Sequence, residues 1–328
     1  MIPLALVAGF LGSGKTTFLR RLSSRNDGRR LAFLVNDFAA IDVDAQLLSE
    51  LDGEIISIPG GSIFCRCLAT TFTNSLRKIA CLQPPVDGVI IEASGMADPR
   101  SLADMLRDTR LDREFELSTV VSLADPGTFR KLIKTLPAMS AQIECADVVL
   151  LNKTDLYDEA TLQQTEAAIR AIRADVPVLR CVRGEAPVEF FKGVSHACKI
   201  HAEPTACRDE SFLSATFRFP RENGHSCPFD SHARQTDKNV RSPLLSAVAS
   251  LLACHARILW RAKGFVPTTE GLVELHWTMR PENQGHIETH PAANPKAQAA
   301  LVLIARGDAE RELDGLVESL KKIQHRVQ

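Results

Sequence analysis

The sequence predicts an α/β fold in which a mostly parallel sheet is flanked by helices, followed by a smaller α+β domain. Short apolar runs of the buried-strand type alternate with helical patterns from the start of the chain to about residue 182. The first run leads directly into a glycine-rich loop and a helix. After Cys181 the periodicity weakens, and strand-like and helical patterns return from about Phe212. A length of 328 residues suits two domains.

The glycine-rich loop reads VAGFLGSGKTT from Val7 to Thr17 and follows the apolar run Ile2–Leu6. Its glycines let backbone N–H groups converge on one point, and the following helix adds the positive end of its dipole. Lys15 can reach the β- and γ-phosphates of a nucleotide, and the Thr16 hydroxyl can ligate Mg²⁺. The pattern therefore predicts the P-loop of a nucleoside triphosphatase. The residues predicted to bind the nucleotide here are Gly9, Gly12, Ser13, Gly14, Lys15, Thr16 and Thr17.

An acidic residue follows a later buried strand. The run Val86–Ile91 ends in Glu92, and Gly95 lies in the turn that comes next. A carboxylate at a strand end opposite a phosphate loop has the Walker B role, holding Mg²⁺ directly or through water. The backbone of Gly95 could approach a γ-phosphate, which would make this loop a switch. We therefore predict Lys15, Thr16, Glu92 and Gly95 as the catalytic set.

The base-recognition signal is Asn-Lys-x-Asp after the apolar run Cys145–Leu151. The Asp155 carboxylate can accept hydrogen bonds from N1–H and the exocyclic amine of guanine. Adenine presents the opposite donor pattern there, so Asn152, Lys153 and Asp155 predict GTP rather than ATP as the cofactor.

Two thiols, Cys65 and Cys67, follow a Gly-Gly turn, and Asp37 ends the second apolar run. A C-x-C pair can bind a soft or borderline ion if other ligands complete the sphere. The spacing leaves open that one thiol is core packing and that Asp37 is an ordinary turn residue. The residues between Cys181 and His232 carry scattered cysteines and histidines. The donors of His196, Cys198 and His201 have a spacing workable for zinc or copper, but no zinc-finger pattern is present. The simpler interpretation is a linker followed by an edge strand at Ser214–Phe219.

Composition narrows the function classes. The formal charge is −1 and 45% of the residues are hydrophobic, which gives no support to nucleic-acid or anionic-membrane binding. The chain begins without a signal-peptide pattern and has no apolar run long enough to span a bilayer. We therefore expect a cytoplasmic protein whose nine cysteines are thiols.

The second domain is predicted from a handful of patterned segments. An edge strand is expected at Ser214–Phe219 and a long helix at Pro243–Trp260. Further expected elements are strands at Arg261–Val266, Leu272–Trp277 and Ala299–Ile304 and a final helix at Ala309–Ile323.

Together these motifs resemble the CobW-like metallochaperone GTPases, relatives of the nickel-delivery GTPases of urease and hydrogenase maturation. The pattern is carried by GFLGSGKTT, VNDF, the Gly-Gly turn with cysteines, VIIEASGMADP, QIECADVVLLNKTDL and ILWRAKGFV. The resemblance implies a GTPase domain at 1–182, a linker at 183–211 and a CobW C-terminal-like domain at 212–328. It implies slow GTP hydrolysis coupled to transfer of a divalent transition metal, zinc or cobalt, to a client metalloprotein.

The resemblance also implies roles for single residues. Thr16 and Glu92 would serve Mg²⁺, and the transition metal would sit between the switch loops, with Asp37, Cys65 and Cys67 as ligands. A donor from the 196–207 stretch or from a second copy of the chain could complete the sphere, the latter in a homodimer.

The sequence departs from the family at the metal. The usual turn is Gly-Gly-Cys-x-Cys-Cys. Aligned without a gap, Ser62 and Phe64 replace two of its three cysteines and only Cys65 remains. With a two-residue shift, Cys65 and Cys67 form the C-x-C pair and Leu68 replaces the third cysteine. The usual Asn-Glu-Phe-Gly-Glu becomes Asn-Asp-Phe-Ala-Ala, which shortens one carboxylate and removes another. These losses are consistent with an alternative function, a regulatory GTP switch that acts through a protein partner. A P-loop kinase is a second alternative, but it leaves the Asn-Lys-x-Asp motif unexplained.

Overall fold

The computed structural model describes residues 1–24, 28–37, 53–59, 63–64, 68–188, 190–191, 212–219, 243–268, 270–279, 285–292 and 297–327. The chain divides into two compact units, Met1–Arg208 and Asp209–Gln328, and each is described by itself.

The first unit is an α/β unit. Its strands are β1 (Ile2–Gly9), β2 (Leu31–Asp37), β3 (Gly53–Pro59), β4 (Gly88–Glu92), β5 (Phe115–Ala124), β6 (Val148–Leu151) and β7 (Val178–Arg180). Its helices are α1 (Lys15–Ser24), α2 (Ala69–Ala80), α3 (Leu102–Asp108), α4 (Pro126–Leu132), α5 (Pro137–Glu144) and α6 (Glu159–Ile172). Short 3₁₀ turns lie at Pro99–Ser101, Leu111–Arg113 and Thr154–Leu156.

All strand pairs described in this unit are parallel, in the order β3-β2-β4-β1-β5-β6-β7. The sheet therefore confirms the predicted parallel architecture. Strand β1 lies in the middle, between β4 and β5, and its Val7 is in register with Glu92. Because parallel strands end at the same edge, this order brings the glycine loop, Glu92 and the residues after β5 and β6 together.

Helices cover both faces of this sheet. Leu4 and Leu6 of β1 pack on one face with side chains of α2 and α3, such as Phe72 and Leu106. Ala5 and Val7 point to the other face, where Phe18 and Leu19 of α1 pack. This alternation explains why the strands read as continuous apolar runs, since both faces are buried.

The first unit continues past residue 182, where the sequence placed the end of the domain. Ala186 and Phe190 are buried in the same core as α1, and the rings of Phe18 and Phe190 are 6.0 Å apart. Most of the predicted linker, 192–211, lies outside the described residues.

The second unit has an antiparallel sheet and two helices among its described residues. Its elements are β8 (Phe212–Arg218), α7 (Pro243–Cys254), β9 (Leu259–Thr268), β10 (Gly271–Met279), β11 (Gly285–Pro291), β12 (Ala300–Arg306) and α8 (Glu310–Val327). The strand order is β11-β10-β9-β12-β8, so β8 is the edge strand that the sequence predicts. One sheet face carries Trp277 and Leu303, which pack against Val248 of α7 and Leu316 of α8.

Two elements of this unit differ from the prediction. Helix α7 ends at Cys254, and the run that starts at Leu259 is strand β9, so the predicted continuation to Trp260 is wrong. The apolar run fits either structure, and pairing of β9 with β10 and β12 decides for the strand. Strand β11 was not predicted, because its sequence GHIETHP is mostly polar.

No helix within the described ranges is long and apolar enough to span a membrane.

Candidate nucleotide-binding site

The glycine loop lies between β1 and α1, as predicted. Gly14 has a φ of 104°, and a Cβ at this position would stand 2.3 Å from Nδ2 of Asn152. The same Nδ2 donates a 2.8 Å hydrogen bond to the backbone oxygen of Ser13. Only glycine therefore fits at Gly14, because Asn152, in the loop that follows β6, leaves no space for a Cβ atom there.

The ammonium group of Lys15 points back at the loop. It donates to the carbonyl oxygens of Gly9, at 2.8 Å, and of Phe10, at 3.4 Å. The Lys15 side chain is buried. Carbonyl oxygens in this position offer the lysine the kind of acceptor that phosphate oxygens would offer.

Thr16 and Glu92 are in contact across the centre of the sheet. The Thr16 hydroxyl donates to Oε1 of Glu92 at 3.3 Å, and both side chains are buried. The structure thus brings together the two residues that the sequence predicts for Mg²⁺. A hydroxyl and a carboxylate are oxygen donors of the kind that Mg²⁺ prefers.

The loop after β4 packs on the glycine loop. A Cβ at Gly95 would lie 2.6 Å from the backbone nitrogen of Leu11, so the two backbones approach as closely as glycine allows. Gln142 of α5, which is 2% exposed, donates its amide to the oxygens of Gly95 at 3.3 Å and Ala97 at 3.0 Å. Gln142 was not singled out from the sequence, since nothing local marks a contact across 47 residues.

Asp98 in the same loop has a structural role. Its carboxylate accepts from the Arg100 backbone at 3.1 Å and forms a 2.6 Å ion pair with that guanidinium, raising the pKa of Arg100.

Asn152 joins three segments of the site. Besides its bond to Ser13, its Oδ1 accepts from the backbone N–H of Gly184 at 2.9 Å and from the Cys181 thiol at 3.5 Å. Burial raises the pKa of Cys181 to about 11. Cys181 is therefore a neutral thiol of this site rather than part of the Cys/His stretch in which the sequence placed it.

Lys153 and Asp155 complete the base loop. Lys153 has a φ of 61°, and its ammonium forms a 3.0 Å ion pair with Asp125 at the end of β5. The Tyr157 hydroxyl donates to the same carboxylate at 2.7 Å. Asp155 lies exposed in the 3₁₀ turn Thr154–Leu156. Asp125 stands at a strand end, which is the signal that could have identified it, whereas Tyr157 has none.

The residues present fit a triphosphate with Mg²⁺. The hydroxyls of Ser13 and Ser94 are buried and have no hydrogen-bond partner among the described residues. A polar ligand held at the glycine loop would supply acceptors that these hydroxyls need. Gly12 lies in the same loop. Thr17 lies in the first turn of α1 and is exposed.

The predicted transition-metal ligands lie at the limit of the described structure. Asp37 ends β2, but its side chain lies outside the described residues, as do Cys65 and Cys67. Within the described part of the chain, no group of three or more His, Cys, Asp or Glu side chains could hold a metal ion. The described cysteines, namely Cys81, Cys145, Cys181 and Cys254, are free thiols.

A lysine and a threonine behind a glycine loop, a carboxylate beside them and an Asn-Lys-x-Asp loop define the class of P-loop GTP-binding proteins. The family described as CobW/HypB/UreG, nucleotide-binding domain, matches residues 3–180, more than half of the chain. The chain belongs to this family.

The chain is also similar to named proteins and to a solved structure. A zinc chaperone CobW of Pseudomonas aeruginosa is 27% identical over 234 residues, 62% of this chain and 62% of that protein. The zinc chaperone YjiA of Escherichia coli is 29% identical over 188 residues, 56% of this chain and 58% of that protein. The chain thus spans about three fifths of the length of these relatives. A Zn(II)-bound YjiA GTPase structure from E. coli covers 97% of this chain and 98% of its own at 20% identity, with a TM-score of 0.43.

Proposed function

We propose that the protein is a GTP-hydrolysing metallochaperone that binds a divalent transition metal, zinc or cobalt, and transfers it to a client metalloprotein. The GTP-binding part of this proposal rests on the 2.8 Å hydrogen bond between Asn152 and the backbone oxygen of Ser13. It ties the loop that would read the base to the loop that would hold the phosphates, so that one nucleotide can occupy both.

In this proposal each part of the nucleotide has its own residues. Asp155 accepts from the guanine edge, and Lys153 is held beside it by Asp125. Lys15 exchanges the carbonyls of Gly9 and Phe10 for phosphate oxygens. The phosphates lie along a loop formed by Gly9, Gly12, Ser13, Gly14, Lys15, Thr16 and Thr17.

Thr16 and Glu92 would hold Mg²⁺, which when bound neutralises charge on the β- and γ-phosphates. The side-chain oxygens of Thr16 and Glu92 lie 3.3 Å apart, so both would serve as ligands of one ion. Gly95 packs against Leu11, so its loop is placed to respond to what the glycine loop holds. The side-chain amide of Gln142 donates to the backbone oxygens of Gly95 and Ala97. Because this amide is not directed at a water nucleophile, we expect slow hydrolysis.

The cargo ion would bind Asp37, Cys65 and Cys67, with further donors from the 196–207 stretch or from a second copy of the chain. Support comes from the sequence of the turn and from relatives that are named zinc chaperones. The client is a metalloprotein that receives the ion, and we place the exchange in the cytoplasm, where thiols stay reduced.

A second function is favoured by one contact. Phe64 stands where the ungapped family pattern has a cysteine, and it is fully buried with its ring 6.3 Å from that of Phe72. This position serves core packing instead of metal binding. A regulatory GTP switch, acting through a protein partner without a cargo ion, is therefore the alternative.

The deciding experiment measures the GTPase rate of metal-stripped protein with Mg²⁺ present and zinc, cobalt or nickel added in turn. A metallochaperone predicts a rate that one of these ions changes, and loss of that change in the Cys65→Ser/Cys67→Ser protein. The matched control is Cys81→Ser/Cys254→Ser, which removes two exposed thiols. A rate indifferent to every ion, with zinc affinity unchanged in the Cys65/Cys67 variant, would favour the switch.

A further inference from the structure

The side chain of Asn36, the penultimate residue of β2, bonds to two parts of the chain that are distant from it in sequence, one at Ile58 and Ile63 and the other at Ser94. Its Nδ2 donates to the oxygen of Ile58 near the end of β3 at 2.9 Å. Its Oδ1 accepts from the backbone N–H groups of Ile63, at 3.0 Å, and Ser94, at 3.3 Å. The residue is 2% exposed, so these bonds are shielded from water.

The two backbone amides that share Oδ1 lie in different segments, one next to the nucleotide site and one leading to the proposed metal ligands. Ser94 precedes Gly95, whose backbone touches Leu11 of the glycine loop. Ile63 lies two residues before Cys65 in the sequence and is itself buried. One side-chain oxygen therefore connects the loop next to the phosphates with the segment that leads into the thiols.

The sharing has an energetic consequence. A single carbonyl oxygen can hold both amides only while the two backbone segments keep their present spacing. If the Ser94–Gly95 segment shifts with the nucleotide, Asn36 must either follow it and leave Ile63 or stay and leave Ser94. Each choice leaves a buried N–H without a partner, which is costly in a water-excluded site.

We propose that Asn36 is the positioning residue through which the nucleotide state sets the backbone conformation at Ile63, two residues before Cys65 in the sequence. This assignment rests on the proposed function for its purpose, because a chaperone must release its ion when GTP is hydrolysed. In this role Asn36 acts through the backbone amides of Ile63 and Ser94.

The test is amide hydrogen exchange at Ile63 and Ser94, compared between protein saturated with GDP and with a non-hydrolysable GTP analogue. In the unchanged protein we expect the Ile63 exchange rate to differ about fivefold between the two states, the effect of about one hydrogen bond. In Asn36→Ala the difference at Ile63 should fall below about twofold, since the shared acceptor is gone. Fluorescent nucleotide titration verifies that each variant is saturated.

Three further variants separate coupling from general destabilisation. Asn36→Asp keeps an oxygen acceptor for both amides but loses the donor to Ile58, so it should melt earlier and still show the nucleotide dependence. Ile79→Val removes a buried methyl group elsewhere in the core and should lower stability without touching the dependence. Asn74→Ala is the same chemical change at an exposed site of α2 and should do nothing.

Retention of the full difference in Asn36→Ala, or absence of any difference in the unchanged protein, would overturn the assignment. If Asn36→Ala does not fold, Asn36→Asp decides, and loss of its dependence counts against the proposal. The readout needs no transition metal. A protein that shows this exchange pattern but binds neither zinc nor cobalt would exclude the proposed cargo and leave the role of Asn36 intact.

Discussion

At the scale of single residues, Asp155 is the side chain on which base choice depends. Its carboxylate can only accept, which suits the N1–H and amino group of guanine. Asp155→Asn puts an amide donor there, which suits the 2-oxo group of xanthine. We expect GTP affinity to fall by about two orders of magnitude, the worth of roughly two charge-assisted hydrogen bonds, while XTP affinity rises.

Competition of both nucleotides against a fluorescent GDP measures this change. Asp112→Asn, an exposed carboxylate on the 3₁₀ turn Leu111–Arg113, is the control that should keep GTP preference. Equal loss of GTP and XTP binding in Asp155→Asn would mean that this residue supports the loop without reading the base.

Asp125 acts on the base loop through Lys153. In Asp125→Asn, Tyr157 and the Gly127 amide can still bond the side chain, but the charge that holds the Lys153 ammonium is lost. We expect GDP affinity to fall about tenfold, the size of one charged hydrogen bond. Tyr157 is the single tyrosine of the chain, so fluorotyrosine labelling gives one NMR signal that should shift in this variant. A shifted signal with unchanged affinity would show that Lys153 does not need its partner.

Cys181 has a pH dependence with a defined sign. Burial raises its pKa from an ordinary 9.0 to about 11, so the unfolded chain releases the thiol proton first as pH rises. The stabilising effect of the neutral buried thiol is complete below about pH 9 and is lost between about 9 and 11. Urea unfolding at pH 8, 9 and 10 should show a decline that is shallower in Cys181→Ala.

The same pKa predicts low reactivity of this thiol. At pH 8 the raised pKa keeps the Cys181 thiol almost entirely protonated in the folded protein. Iodoacetamide should therefore modify exposed Cys81 and Cys254 long before Cys181, with mass spectrometry as the readout. Modification of all three at similar rates would contradict the buried contact with Asn152.

At the scale of elements, the glycine loop and the loop after β6 constrain each other. In Gly14→Ala the new Cβ would stand 2.3 Å from Nδ2 of Asn152 and would break its bond to Ser13. We expect nucleotide affinity to fall at least about tenfold, because the base and phosphate loops no longer share one geometry. Isothermal titration with GDP measures the loss.

Gly28→Ala is the matched control, because Gly28 also has a positive φ, of 77°, but a Cβ there meets nothing within 4 Å. It should cost about 1 kcal/mol of stability from backbone strain alone and leave GDP affinity unchanged. Equal losses of affinity in both variants would mean that strain, and not the contact with Asn152, limits the loop.

Some of these elements could be predicted from the sequence alone, and others could not. Strands β1 and β4 and the turn into α1 were predictable, because burial on both faces and the need for glycine are local properties. The boundary between helix α7 and strand β9 was not predictable, because the apolar run Ile258–Trp260 fits either structure. Only the pairing of β9 with β10 and β12 decides for a strand. Asn36, Asp125 and Gln142 gave no local sign of their partners, since these lie up to 58 residues away and only the strand order brings them together.

At the scale of the whole molecule, the two units should respond separately to different changes. The proposed nucleotide site lies in the first unit, so GDP at a hundredfold excess over Kd should stabilise that unit by about 2.7 kcal/mol. Gly315 lies on the exposed face of α8 with nothing near a Cβ, so Gly315→Ala should stabilise the second unit by about 0.5–1 kcal/mol.

Differential scanning calorimetry of the full chain should therefore show two transitions that can be assigned by these changes. GDP should raise the transition of the first unit by about 5–10 °C, and Gly315→Ala the other by about 2–6 °C. Each change should leave the remaining transition where it was, because each unit has its own core. If GDP and Gly315→Ala each move both transitions, or only one transition exists, the units unfold cooperatively. In that case a nucleotide bound at the glycine loop would also stabilise the antiparallel sheet against unfolding.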